Sequence, residues 1–408
     1  MNLTRRIVIA LATTALAPAA FAQDNVLRLA TWDDEESLTI IESIASAFEA
    51  ANPGVDIQVE AYGDGFDTKL AAAMGAGAAP DLMYMWNFPA YADALMPLND
   101  FIARDGEAMN ISDIPEGLIN VSVIDGNVLG LPAGFTTHVI YFNRDLFAAA
   151  GVAEPAAGWT WADLRAAAAQ LSDPATDTYG FAVDAKPDPY DFEQFYWSNG
   201  TSYIAPDGSA VDGYMNSAEG AEVLTMFADM IASGEALALN IGDDTSGSSL
   251  FRAGKLAMFE GAMWNMSGIQ ESGVNFGTVV LPAFGDKPVV STINSSAISI
   301  SANTANPDLA WEFVKFYVSP EAIAMRVNDL PVRTSVAEAS GQANDPILAP
   351  FFTMLEASGA ASPAFLKNPE WARIQENLAA AIEATMVDQG NAQAHLDEAV
   401  NRSARFLR

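Results

Sequence analysis

Residues 26–61 read VLRLATWDDEESLTIIESIASAFEAANPGVDIQVEA, and the changes of period within them decide the fold class. Val26 to Thr31 alternates apolar and polar side chains, the two-residue period of a strand with one buried face. Trp32-Asp33-Asp34-Glu35-Glu36 follows as a polar loop carrying one Trp. From Ser37 the period lengthens. Leu38, Ile41, Ile44, Ala45 and Phe48 share one helical face, and Glu42 and Glu49 lie on the other. Asn52-Pro53-Gly54 stops that helix. Val55, Ile57 and Val59 then alternate with Asp56, Gln58 and Glu60, a second half-buried strand. Strand, helix, strand is the crossover that parallel strands need, so the segment predicts an α/β sheet.

The pattern continues outward. Phe66 to Met74 reads as a helix ended by Gly75-Ala76-Gly77. Leu82-Met83-Tyr84-Met85 reads as a buried strand leading into Trp86-Asn87. Gly130-Leu131-Pro132 precedes a further apolar strand, Val139-Ile140-Tyr141-Phe142. Thr160-Trp161-Ala162-Asp163 sets a hydroxyl at an N-cap and a carboxylate three residues on, a capping box opening a helix through Leu171. Asn306-Pro307 and Ser319-Pro320 start helices, because proline at the first helical position forfeits no needed N–H. Trp371 to about Val387 reads as a last amphipathic helix.

With 408 residues and no Cys, the chain must rely on hydrophobic cores alone, and two domains are expected. At the N-terminus, Arg5-Arg6, an apolar run from Ile7 to about Ala17, and Ala20-Phe21-Ala22 before Gln23 predict an export signal over residues 1–22, cleaved after Ala22. No Cys follows, so the expected processing leaves no lipid anchor there, and a periplasmic protein is expected. A net charge of −33, from 52 acidic and 19 basic residues, repels nucleic acid and anionic lipid. It is equally the charge of a protein kept soluble in a salty habitat. His138 and His395 are the two histidines, and no metal-ligand spacing or G-x-S-x-G elbow occurs. No catalytic residue, metal or cofactor is therefore expected, although the abundant acids leave a glycosidase pair untested.

The ordered blocks resemble the extracellular solute-binding proteins of ABC importers, in the sugar-binding branch that includes maltose-binding protein. They are the strand–W-x-D–helix–N-P-G–strand opening, A-P-D-L at residues 79–82, G-L-P at 130–132 and Y-F-N-R-D-L-F at 141–147. Later come G-W-T-W-A-D-L at 158–164, F-R-A-G-K-L-A-M-F at 251–259 with Gly261 and Trp264, and L-P-V-R at 330–333. The resemblance implies a two-lobed, type II-like binding-protein fold with three hinge crossings and a ligand cleft between the lobes. It divides the chain into an N-terminal lobe, residues 23–131 plus 285–329, and a C-terminal lobe, residues 132–284 plus 330–408. It implies a non-enzymatic receptor, expected to be a monomer, that closes on a sugar or oligosaccharide and delivers it to a permease.

A pyranose offers a C–H face to aromatic rings and hydroxyl edges to carboxylates, amides and guanidinium groups. On that chemistry the candidate ligand residues are Trp32, Asp33, Asp34, Trp86, Asn87, Asp188, Tyr190, Trp197, Trp264 and Arg333. Each has a plainer reading. The tryptophans also suit a core, Asp33 and Asp34 also suit a solvated helix cap, and Arg333 also suits a brace on the third crossing. His138 reads as structural. An acidic cleft lined with aromatics would equally hold a polyamine or another cation, or a polyol. A secreted carbohydrate-active enzyme is the remote alternative.

Overall fold

The computed structural model describes residues 25–240, 245–327, 329–388 and 390–407, without the side chain of Glu36. The expected export signal lies outside the described residues. Strand β1 (Val26–Thr31), helix α1 (Glu35–Ala51) and strand β2 (Asp56–Ala61) form as the periodicity predicts. β1 and β2 pair in parallel from Val26↔Asp56 to Thr31↔Ala61. Ile41, Ile44 and Phe48 are buried, and Phe48 meets the edge of Phe313 at 5.1 Å. Burying each such side chain contributes about 1.5–3 kcal/mol. Helix α2 (Phe66–Gly75) leads to β3 (Leu82–Met85), which pairs in parallel with the other side of β1.

Two long strands complete this sheet. Ile293–Ile300 runs antiparallel to β3 and to Leu131–Thr137, giving five strands with Leu131–Thr137 at one edge. A second, three-stranded sheet is antiparallel, with Val139–Asn143 between Met258–Gly261 and Phe276–Val279. Around it stand helices Trp161–Leu171, Pro189–Ser198 and Ala218–Ser233, and Trp161 meets Phe181, Phe195, Phe227 and Phe284 in one aromatic cluster. The capping box of Thr160 and Asp163 forms in full. Helices Trp371–Asp388 and Ala392–Ser403 pack on each other and on Ala218–Ser233. The molecule is a two-lobed α/β protein.

Strand pairing shows how the chain passes between the sheets: Leu131–Thr137 stays in the five-stranded sheet along its length. Proline is tolerated there because the strand is an edge strand. The first crossing is therefore His138, between the strand of one sheet and the central strand of the other. Ala283 and Phe284 still belong with the second lobe, through the bridge Thr160↔Ala283 and the Trp161–Phe284 contact. The return lies near Ser291, whose hydroxyl accepts the His138 backbone N–H at 2.8 Å. At the third passage Leu330 bridges Phe135, and Arg333 to Ser335 remain bonded to the first lobe. Strand pairing and these side-chain bonds tie each passage to its lobe.

Candidate ligand cleft

A cleft of about 1260 Å³ opens between the two lobes, and Phe135, Thr136, Ile293 and Asn294, close to the crossings, are part of its lining. On the first lobe, the loop after β1 supplies Trp32, Asp33 and Asp34. Trp32 is wedged edgewise against Phe66 at 5.2 Å and Tyr84 at 4.9 Å. Asp33 is held by the Thr31 hydroxyl, which donates to Oδ2 at 2.5 Å. Burial pushes its carboxyl above the usual range, against the opposing pull of the Thr31 bond and the Arg326 charge. Asp34 occupies the N-cap position of α1, yet its side chain makes no capping bond. Trp86 follows β3 onto the rim, 48 % exposed, and donates its indole N–H to Asp67 at 3.2 Å. Asn87 stands beside it on the cleft wall, uncommitted to the short helix that starts at Phe88.

The second lobe faces these groups with Asp188, Tyr190 and Trp264. Asp188 caps helix Pro189–Ser198 by accepting the Tyr190 N–H at 2.9 Å, and burial raises its carboxyl pKa. The Tyr190 hydroxyl donates to the Ile293 carbonyl at 2.7 Å, which ties the second lobe to the return crossing. Trp264 is 57 % exposed, the largest exposure among the tryptophans that line the cleft. Its turn is set by two bonds: Thr136 Oγ1 accepts the Met263 N–H at 3.0 Å, and Asn265 Oδ1 accepts the Ala262 N–H at 3.0 Å. Trp371 also reaches the cleft, but it is largely buried and stacks on Tyr203.

Two candidates lie elsewhere. Trp197 sits half-buried on helix Pro189–Ser198, where its indole approaches Glu193, and does not line the cleft. Arg333 is 1 % exposed, and its donors are spent on the carbonyls of Val318, Asn110 and Met109 and on Asp113. It braces the third passage and does not line the cleft. The cation that the cleft does contain is Arg326. Its guanidinium donates to Tyr84 and Tyr317 at 2.6 and 2.7 Å and pairs with Asp329 at 2.5 Å.

Sequence reasoning also passed over Asp191, Asn294, Ser295, Ser296 and Phe365, all of which line the cleft. One signal was present. Asn294-Ser295-Ser296 is a polar run inside a long strand, and polar groups kept there need partners. The strand carries a register shift between Ser296 and Ala297, the kind of bulge that re-aims side chains beside a site. Among the described residues no group of His, Asp and Glu side chains is arranged to hold a metal ion, and no helix is long and apolar enough to cross a membrane.

Residues 43–350 match the family model described as bacterial extracellular solute-binding protein. A putative binding protein of Brucella abortus is 26 % identical, across 98 % of this chain and 97 % of its own. A maltotriose-binding protein of Pyrococcus abyssi is 24 % identical, across 76 % of this chain and 67 % of its own. Among solved structures, the sugar-binding protein MalE from Xanthomonas citri superposes with a TM-score of 0.81 at 20 % identity, over 94 % of this chain and 97 % of that one. An ABC substrate-binding protein from Listeria monocytogenes, in complex with cycloalternan, gives 0.79 at 21 % identity, over 93 % and 98 %.

Proposed function

The chain belongs to the bacterial extracellular solute-binding protein family, and from that premise we propose that it is the periplasmic receptor of an ABC importer, closing on a sugar or oligosaccharide. The observation that carries the saccharide reading is the pair of exposed indoles, Trp86 on one lobe and Trp264 on the other, in a cleft also lined by carboxylates. Aromatic faces cover the C–H faces of a pyranose, and Asp33, Asp34 and Asp188 accept its hydroxyls. The relatives named for maltotriose and cycloalternan support the same class.

Binding works by differential affinity. An open cleft gives the ligand one wall, whereas the closed form gives two, so ligand shifts the population toward closure. Water leaves the cleft, and the carboxylate bonds strengthen as the local dielectric falls. The closed shape is what the permease reads. No bond is made or broken, and the protein acts as a monomer. A thermal-shift screen of the protein against mono- and oligosaccharides, polyols and polyamines, with tryptophan fluorescence in parallel, tests this reading. A saturable rise in melting temperature with one sugar class, by mass action, is the expected result. A rise with polyamines or polyols alone, or sustained hydrolysis of a glycan, overturns it.

A further inference from the structure

His138 makes the first crossing between the lobes, and its imidazole is 3 % exposed. Every ring contact is to an acceptor. Nδ1 meets Glu260 Oε1, while Nε2 lies 3.2 Å from Asn294 Oδ1 and 3.4 Å from Asp191 Oδ1. Acceptors at both nitrogens suit a proton on each, the imidazolium form. Burial opposes that charge, but Glu260 and Asp191 raise the ring well above the ordinary histidine range. The Trp264 indole stands almost perpendicular to the imidazole, with centroids 5.5 Å apart.

The contacts on Asp191 fall on one oxygen. Oδ1 faces His138 and accepts the Asn294 amide at 3.1 Å. The side chain is 34 % exposed and lines the cleft, so Oδ2 is the oxygen left for a ligand. Burial pushes this carboxyl up, yet His138 and Asn294 hold it below the usual range, ionised and ready to accept. Asp191 and Trp264 come from separate elements, a helix and the turn after Met258–Gly261. Both touch one imidazole, so the His138 ring holds them in one fixed relation.

We propose that His138 is a positioning residue that presents Asp191 and Trp264 to the ligand as a fixed pair, with Asp191 Oδ2 accepting a hydroxyl at the edge of the ring whose apolar face lies on the Trp264 indole. This assignment rests on the saccharide reading above. The pair adds face and edge selection at one subsite: an epimer that turns this hydroxyl away loses the bond while keeping the stack.

The test uses the whole protein and its Asp191→Asn, His138→Gln and double variants, titrated calorimetrically with maltotriose, cellotriose and lactose and melted without ligand. Asp191→Asn keeps the shape, lowers the melting temperature through the lost pairing with His138, and weakens the best-bound sugar at least tenfold. His138→Gln weakens it as much, and the double variant loses no more than either single one, because the two residues act as a unit. A structural role alone does not produce that non-additivity. A ligand-free readout accompanies it. The emission of Trp264, taken as the difference from Trp264→Phe, rises in His138→Gln because a charged imidazole quenches a neighbouring indole. Wild-type affinity in Asp191→Asn, additive losses, or unchanged Trp264 emission overturns the pair while the receptor reading stands. A wild type that binds no sugar at all overturns the saccharide reading itself, and the emission result then still decides whether His138 holds Trp264.

Discussion

Glu193 Oε2 accepts the backbone N–H of Ala364 at 3.1 Å, inside the second lobe. The bond fixes the turn Ala364–Leu366, and with it Phe365, which lines the cleft and meets Tyr190 edgewise at 5.5 Å. Glu193 is buried, and burial pushes its carboxyl up to about 8, against the pull of the Ala364 N–H and Lys367.

A raised carboxyl pKa has a definite sign. The folded state holds the proton that the unfolded state releases, so this contribution is full below about 4.5 and is lost as pH rises through about 8. The slope between these values reaches about 1.4 kcal/mol per pH unit. Glu193→Gln removes the ionisation and keeps the shape. Its melting temperature relative to wild type is expected to climb from pH 5 to about pH 8 and then level off. A difference that stays flat across that range contradicts a buried neutral carboxyl.

Arg333 gives a stability prediction free of any ligand effect. Arg333→Met removes the guanidinium from Asp113 and from the carbonyls of Val318, Asn110 and Met109, although Ser335 still donates to Asp113. Breaking such a buried pair costs about 3 kcal/mol or more. Denaturant unfolding is expected to show that loss, and calorimetry of the still-folded variant is expected to give wild-type affinity. A stable variant with weakened binding would place the guanidinium in the ligand site instead.

Trp264 gives the converse. Its side chain is more than half exposed, so Trp264→Ala is expected to move the melting temperature little, within about 0.5 kcal/mol of stability. The same change removes a stacking platform and is expected to weaken sugar binding by about 2 kcal/mol, some thirtyfold. Titration beside a melting curve checks both halves.

Gly134 lies where the strand Leu131–Thr137 passes under Asp329. A Cβ built there would stand 2.6 Å from Asp329 Cγ and 3.0 Å from its Cβ. Gly134→Ala must therefore displace Asp329, and with it the ion pair that steadies Arg326 beneath the cleft. A lowered melting temperature and weaker ligand binding are both expected. Unchanged values would mean that Asp329 yields without disturbing Arg326 or the cleft.

Local chemistry made much of the fold legible. The period changes over residues 26–61 located β1, α1 and β2, and the spacing of Thr160 and Asp163 located a capping box, because each rests on neighbours within a few residues. Of the residues that line the cleft, Trp32, Asp33, Asp34, Trp86, Asn87, Asp188, Tyr190 and Trp264 are singled out by aromatic and acidic chemistry together with the family resemblance. Trp197 and Arg333 are singled out on the same grounds and do not line it. A helix face or a turn can point inward or outward, and what decides is the segment packed against it. For Arg333 that segment is Met109 to Asp113, more than two hundred residues earlier.

The sequence by itself determined the alternation of strands and helices, the reliance on hydrophobic cores without disulfides, and the aromatic and acidic groups available to a ligand. Only the tertiary structure decided where the chain crosses between lobes, which arginine braces and which lies under the cleft, and that His138, Asp191 and Trp264 meet. The physical reason is range. Periodicity and capping depend on contacts a few residues apart, whereas the cleft is built from contacts such as His138 with Asn294 and Glu260, which exist only once both sheets have formed.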